Sequence, residues 1–298
     1  MLSSRLLAAF TVLVATPLAA AAGPQSAPPP QAEAKDEVVI TGRAERDRLI
    51  RDYVRALTAV PGRDPLARFD HATLCPGVVG LSPARNAEIV QRMRVIAGAA
   101  GISLSKKADC RPNALVIVAA DKDAMIAALK ETHPAYFRDL TGALIDPPRQ
   151  PGSATAWHLE NRVDRFGQRV GHNGDYFRVS TPLASRISHT MRPIFVAAVV
   201  VIELDAVVGM TTTQLADYAA MRTFARTDPQ KLKGLSAPTI LSMLDAPDAA
   251  EVPVTLTQWD LGYLRGLYAA APMRSAWTQR GEIKREIASD LDEAAGGK

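Results

Sequence analysis

An α+β fold is predicted from three features of this 298-residue chain. Residues 114–119 and 192–202 are short, β-branched apolar runs bounded by polar residues, the pattern of buried strands. Around them lie segments whose apolar residues recur at three- and four-residue spacing, the pattern of amphipathic helices. Several of those helices open on Ser, Thr or Asp, which accept the orphan amides of a first turn. No internal repeat is present.

The elements follow in order. A helix is predicted over 44–59, where Leu49, Tyr53 and Leu57 share one face, and Pro61-Gly62 ends it. Residues 69–80 read as a strand and turn carrying Cys75. The helix over 83–100 has Ser82 as its cap, Pro83 in its first position and Gly101 after its end, with Ile89, Met93, Ile96 and Ala100 forming a stripe. Short strands at 102–104 and 114–119 flank Cys110. Asp121 caps a helix to Glu131 with Met125, Ala128 and Leu129 inward. Residues 140–190, rich in Gly, Pro, Arg and Asp, read as a β-hairpin insertion with polar turns. After the 192–202 strand come a helix at 211–226 capped by Thr212 or Thr213, a short helix at 236–244, and a helix at 257–268 with Asp260 three residues after its Thr257 cap. A last amphipathic helix covers 282–294, with Ile283, Ile287 and Leu291 in line.

The first 22 residues read as a cleavable export signal. Arg5 supplies the positive n-region, Leu6 to Val14 the apolar run, and Ala19 to Ala22 the small residues ahead of a cut near Gly23. The run is shorter than the about 20 residues that span a bilayer, and no Cys follows it as a lipid anchor. Periplasmic or extracellular residence is the expectation. Residues 23–36, rich in Pro and Ala, have little to bury and read as a disordered linker. The segment Glu37-Val38-Val39-Ile40-Thr41-Gly42-Arg43 resembles the stretch that precedes the plug of TonB-dependent outer-membrane receptors. No receptor barrel follows, so it reads as an edge strand. The division is then a strand and helix appendage at 37–64, a main domain at 65–275, and a C-terminal amphipathic helix and tail at 276–298. Acids and bases are interleaved and the net charge is only +4, which argues against nucleic acid as a partner.

Two cysteines in an oxidising compartment point to a Cys75–Cys110 disulfide, which would pin the approach to the first long helix against the 114–119 strand. The five histidines form no pair at i, i+4 on a predicted helix, and the chain has no His-Glu-x-x-His, no Gly-x-Ser-x-Gly and no phosphate-binding glycine loop. Ser103-Leu104-Ser105-Lys106 matches Ser-x-x-Lys by chance, on a strand and without partner motifs. The one polar cluster is His158, Glu160, Asp164, His172 and Asp175. Two imidazoles and a carboxylate would converge there if the hairpin paired His158 near His172; turn chemistry is the favoured reading. Glu203 and Asp205 either line a cleft or end a strand, the latter being favoured.

The C-terminal half resembles a degenerate zincin, the metalloprotease-like fold. The residues that carry the likeness are the strand at 194–202, the helix Gln214-Leu215-Ala216-Asp217-Tyr218-Ala219-Ala220-Met221, the piece Thr239 to Leu244, and Leu256-Thr257-Gln258-Trp259-Asp260 running on to Leu264-Arg265-Gly266-Leu267-Tyr268. The helix at 83–100 and the strand at 114–119 also sit where a zincin has its first helix and sheet. The resemblance implies a mixed sheet with packed helices. Where that family carries its zinc site, this chain has Gln214, Leu215 and Tyr218, which cannot hold zinc or activate water in the family's way. No catalytic residue, metal or cofactor is therefore expected, and Asp217 is expected to matter little to stability. The expected role is a non-catalytic, pseudo-peptidase-like domain that binds an envelope protein or peptide. The alternatives are a periplasmic hydrolase with an unrecognised site at 150–190, or an accessory subunit of an envelope assembly.

Overall fold

The computed structural model describes residues 42–58, 64–70, 73–107, 109–138, 142–147, 149–173, 176–178, 189–245 and 252–296. The export signal, the linker and most of the 37–43 segment lie outside them. Gly42 and Arg43 do not form a strand: Gly42 (φ 109°) precedes helix α1, Arg43–Leu57, of which Arg43 is the first residue.

The fold is mixed α+β. Strands β1 (Pro76–Val79), β2 (Ala114–Ala119), β3 (Ala154–Asp164) and β6 (Met191–Glu203) make one open sheet in the order β1-β2-β6-β3. The first three neighbours are parallel and β3 is the antiparallel edge. Helix α2 (Pro83–Ala99) crosses from β1 to β2, and Ser82 accepts the Arg85 amide at its start. Gly80 (φ 102°) lets the chain leave β1, because a Cβ there would lie 1.9 Å from the Val118 carbonyl oxygen. Helix α3 (Lys122–Thr132) is capped by Asp121 as its sequence predicts.

The described residues of 140–190 do not form a separate insertion. Trp157-His158-Leu159-Glu160 belong to β3, which pairs with β6 along its whole length. Among the described residues β3 turns back on itself at a Val163–Arg169 bridge, and a small hairpin follows, β4 (Gly171–Asn173) with β5 (Tyr176–Arg178). Alternation explains why β3 joins the sheet. Trp157 and Leu159 pack on the face covered by α3 and Phe137, and Ala154 and Ala156 on the opposite face.

That opposite face carries helices α1, α2, α4 (Thr212–Phe224), α5 (Gln258–Ala269) and α6 (Ala276–Gly296). The two terminal helices are core elements, not appendages. Ile50, Tyr53, Val54 and Leu57 of α1 and Ile283 and Ile287 of α6 are buried. Helix α6 begins at Ala276, ahead of the predicted start, and runs close against α5. Gly262 and Gly266 allow that approach: a Cβ at Gly266 would meet the Ile283 Cα at 2.6 Å.

Two further expectations are corrected. Helix α4 is capped by Thr211, not Thr212 or Thr213, in a capping box with Gln214. The helix predicted at 236–244 is a single 3₁₀ turn, Ile240–Ser242. Its amide and hydroxyl donors go elsewhere, since Ile240 N and Thr239 Oγ1 both donate to Asp260.

The Cys75–Cys110 disulfide forms as expected and closes a 35-residue separation. Asn113 backs it by accepting the Cys75 amide at 2.8 Å. In the chain-entropy account such a loop is worth about 3–4 kcal/mol.

Asp217 overturns its expected insignificance. Its carboxylate is fully buried and accepts Arg92 Nε at 2.7 Å and Nη2 at 3.0 Å, Thr255 Oγ1 at 2.7 Å and Leu256 N at 2.5 Å. Removing it takes the charge partner from Arg92 and the acceptor from the half-buried Leu256 amide. Asp217→Ala should therefore destabilise the fold by about 3 kcal/mol, at the low end for a broken buried pair because Arg92 is 35 % exposed and regains water. Denaturant titration checks this. A loss near zero would mean that the pair does not form.

Candidate functional site

A cavity of about 330 Å³ opens beside β3 at the edge of the sheet. Its apolar wall comes from Leu57 at the end of α1, Leu66, Ala67, and Tyr263 and Leu267 of α5. Its polar wall comes from His158 and Glu160 of β3 and from Arg226, Asp228 and Lys231, which follow α4.

Hydrogen-bond parity decides which way β3 faces. Ala198 N donates to Asn113 and Phe195 N to Arg68, both away from β3. Their β3 partners are His158 and Glu160. The peptide groups of those two residues therefore point outward along the sheet edge, toward the cavity that they line. The edge is closed on both sides of them. On one side the Gln150 side chain imitates a strand, donating to Ala156 O and accepting Ala156 N, each at 3.0 Å. On the other, Asp164 N donates to Gln168 O and Val170 N to Arg162 O. Among the described residues nothing closes the His158 and Glu160 rungs between these plugs.

His158 is committed to structure. Its ring lies 4.4 Å from Phe195, and Nε2 sits 3.2 Å from the Thr223 carbonyl at the end of α4. A carbonyl only accepts, so Nε2 carries the proton. Tyr268 donates to Phe224 O at 2.7 Å and Thr227 to Met221 O at 3.1 Å, so side chains serve the last carbonyls of α4. Burial, helped by the Arg226 charge, holds the His158 pKa down to about 3.

Glu160 pairs with Arg226. Burial pushes its carboxyl above the usual range, while the Arg226 and Arg162 charges pull the other way. Asp164 is turn chemistry: its Oδ1 accepts Phe166 N at 2.8 Å and Gln168 N at 2.9 Å. The His172 side chain and Asp175 lie outside the described residues, so of the alternative in which two imidazoles converge only the His158 half is in view. Among the described residues no group of three His, Cys, Asp or Glu could hold a metal ion. Glu203 and Asp205 end β6 and enter a 3₁₀ turn.

The positions compared with a zinc-binding helix are built into the fold. Gln214 completes the cap of α4 and donates to Pro253 O at 3.1 Å. Leu215 and Tyr218 are buried. The Arg222 guanidinium lies 5.9 Å from the centre of the Tyr218 ring and bonds Thr227 O and Gln150 Oε1.

Arg226, Asp228, Lys231 and Gln150 were not singled out from the sequence. Arg226 entered the sequence analysis only as the last residue of the helix predicted at 211–226, and a glutamine standing in for a strand leaves no pattern in a chain. No family model, curated protein or solved structure matches this chain.

The buried neutral His158 has a consequence for stability. The unfolded imidazole takes a proton near its ordinary 6.5, whereas the folded one resists down to about 3. Between those values the unfolded state binds more protons. The His158 contribution is thus complete above the window and is lost as pH falls through it, by about 1.4 kcal/mol per pH unit. Urea midpoints should fall from neutral pH to about pH 4 more steeply in the wild type than in His158→Gln, which can donate the same bond but takes no proton. Parallel profiles would contradict a buried neutral imidazole.

Proposed function

We propose that this is an exported, zincin-like protein that binds an extended peptide and performs no peptidase chemistry through its α4 helix. The observation that carries the reading is the pair of open rungs, His158 and Glu160, beside an apolar cavity. An exposed strand edge gives an incoming peptide main-chain hydrogen bonds, and a neighbouring pocket takes a side chain. The cavity volume, about 330 Å³, falls at the lower end of those that hold ligands.

The zincin-like part is supported by chain order. Strand β6 runs into α4, and the Thr257-x-x-Asp260 capping box opens α5. Helix α2 and strand β2 precede them in the positions that the resemblance implies. The non-catalytic part is supported by the work that Gln214, Leu215, Asp217 and Tyr218 already do as cap, packing and ion pair. Export is supported by the sequence of residues 1–22 and by the disulfide, a bond at home in oxidising compartments. Among the described residues no helix is long and apolar enough to cross a membrane.

Panning residues 23–298 against a random heptapeptide library tests the reading. Selected peptides should bind Glu160→Pro at least tenfold more weakly. Proline removes the outward N–H and crowds the edge, yet leaves the β3–β6 ladder intact, because the Glu160 N–H faces away from β6. A circular dichroism melt confirms that the variant is folded. No enrichment, or equal binding to folded Glu160→Pro, would overturn the proposal.

A further inference from the structure

We infer that the cavity takes the carboxyl terminus of a partner chain ending in a bulky apolar residue. This rests on the peptide-binding reading and adds which part of a peptide enters and by what chemistry it is recognised.

The first argument is length. Between the Gln150 plug at Ala156 and the pairing of Arg162 and Asp164 with residues 168–170, only the His158 and Glu160 rungs are open. They lie about 7 Å apart along the strand. A peptide that continued in extended form in either direction would collide with a plug. A chain that ends at one plug has to leave the edge only at the other.

The second argument is charge. Two cations and two anions line the cavity. Each anion has a partner: Glu160 accepts Arg226, and one oxygen of Asp228, Oδ1, accepts Gln230 N at 3.1 Å. The cations keep spare capacity. Arg226 uses one terminal nitrogen on Glu160 and its side chain is 48 % exposed. Among the described residues Lys231 Nζ has no hydrogen-bond partner. Unused donors of a planar guanidinium and an ammonium suit a carboxylate. The carbonyl end of α4, which would repel one, is capped by His158, Tyr268 and Thr227.

The third argument is the wall. Leu57, Leu66, Ala67 and Leu267 give the same cavity an apolar lining beside its charged residues. The last side chain of a bound strand can lie against them while its carboxylate faces Arg226 and Lys231.

The test uses fluorescein-labelled heptapeptides ending in Leu, Ile, Val or Phe, each made as free acid, as C-terminal amide, and as an amide with Asp in the last position. Polarisation titrations against residues 23–298 should show the free acid of at least one peptide binding tenfold or more tighter than its amide and tighter than the Asp amide. Arg226→Gln should abolish the preference. Glu160→Gln should enlarge it, because the competing carboxylate is gone. Opposite effects from two partners of one ion pair are not what simple loss of structure produces. If acid and amide bind equally well, the terminus inference fails and peptide binding stands. Tighter binding of the Asp amide would assign the site to an internal acidic side chain and also overturn the inference. If none of the probes binds, both readings fail.

Discussion

Asp217 and Asp260, both without exposure to water, hold the segment that enters α5 from its two ends. Thr255 and Leu256 donate to Asp217, and the very next residue, Thr257, donates to Asp260 through its amide and its hydroxyl. Asp260 also takes Tyr53 from α1, and Thr239 and Ile240 from the turn before. Burial raises its carboxyl above the usual range, and those donors counter the shift. An isolated buried carboxylate is costly, so each aspartate holds its neighbours only while every donor is in place. One result is that α1, α4 and α5 are fixed around the same short stretch. Those three helices supply or precede much of the cavity wall.

The helix ends extend the same logic. Their terminal carbonyls cannot be met inside the helix. Arg280 of α6 meets Thr58 after α1, Arg265 of α5 meets Ala99 of α2, and Arg68 meets Leu267 and Ala270 at the end of α5. Tyr268 and His158 meet α4. Each cap comes from a distant part of the chain, so it sets helix position as well as helix length. His158 is the instructive case. Its side chain closes α4 while its peptide group faces the open edge of β3. A residue that looks catalytic in sequence is here a tie between the sheet edge and the helix layer.

Local chemistry was legible in the sequence and long-range chemistry was not. Ser82, Asp121 and Thr257 announce their helices because capping depends on residues two or three apart. The disulfide followed from a count of two cysteines. The strand character of 154–164 was blurred because Asn161 and Arg162, at the polar end of β3, resemble turn residues, and the partner that buries the strand lies some forty residues away. Asp217 was expected to matter little because its partner Arg92 is 125 positions distant. The cavity stayed hidden for the same reason, since its walls come from α1, β3, α5 and the stretch after α4. Of its polar residues, only His158 and Glu160 stood out in the chain, and for a metal role that the His158 cap makes unnecessary.

The whole functional account depends on two unpaired rungs at a sheet edge, and amide hydrogen exchange on the ligand-free protein reads them directly. Ala156 N–H and Asp164 N–H have partners at the plugs, while Trp157 and Leu159 face β6. The account predicts that the His158 and Glu160 amides exchange at least a hundredfold faster than those four. Equal protection along all of β3 would mean that the edge is already closed, and would contradict it.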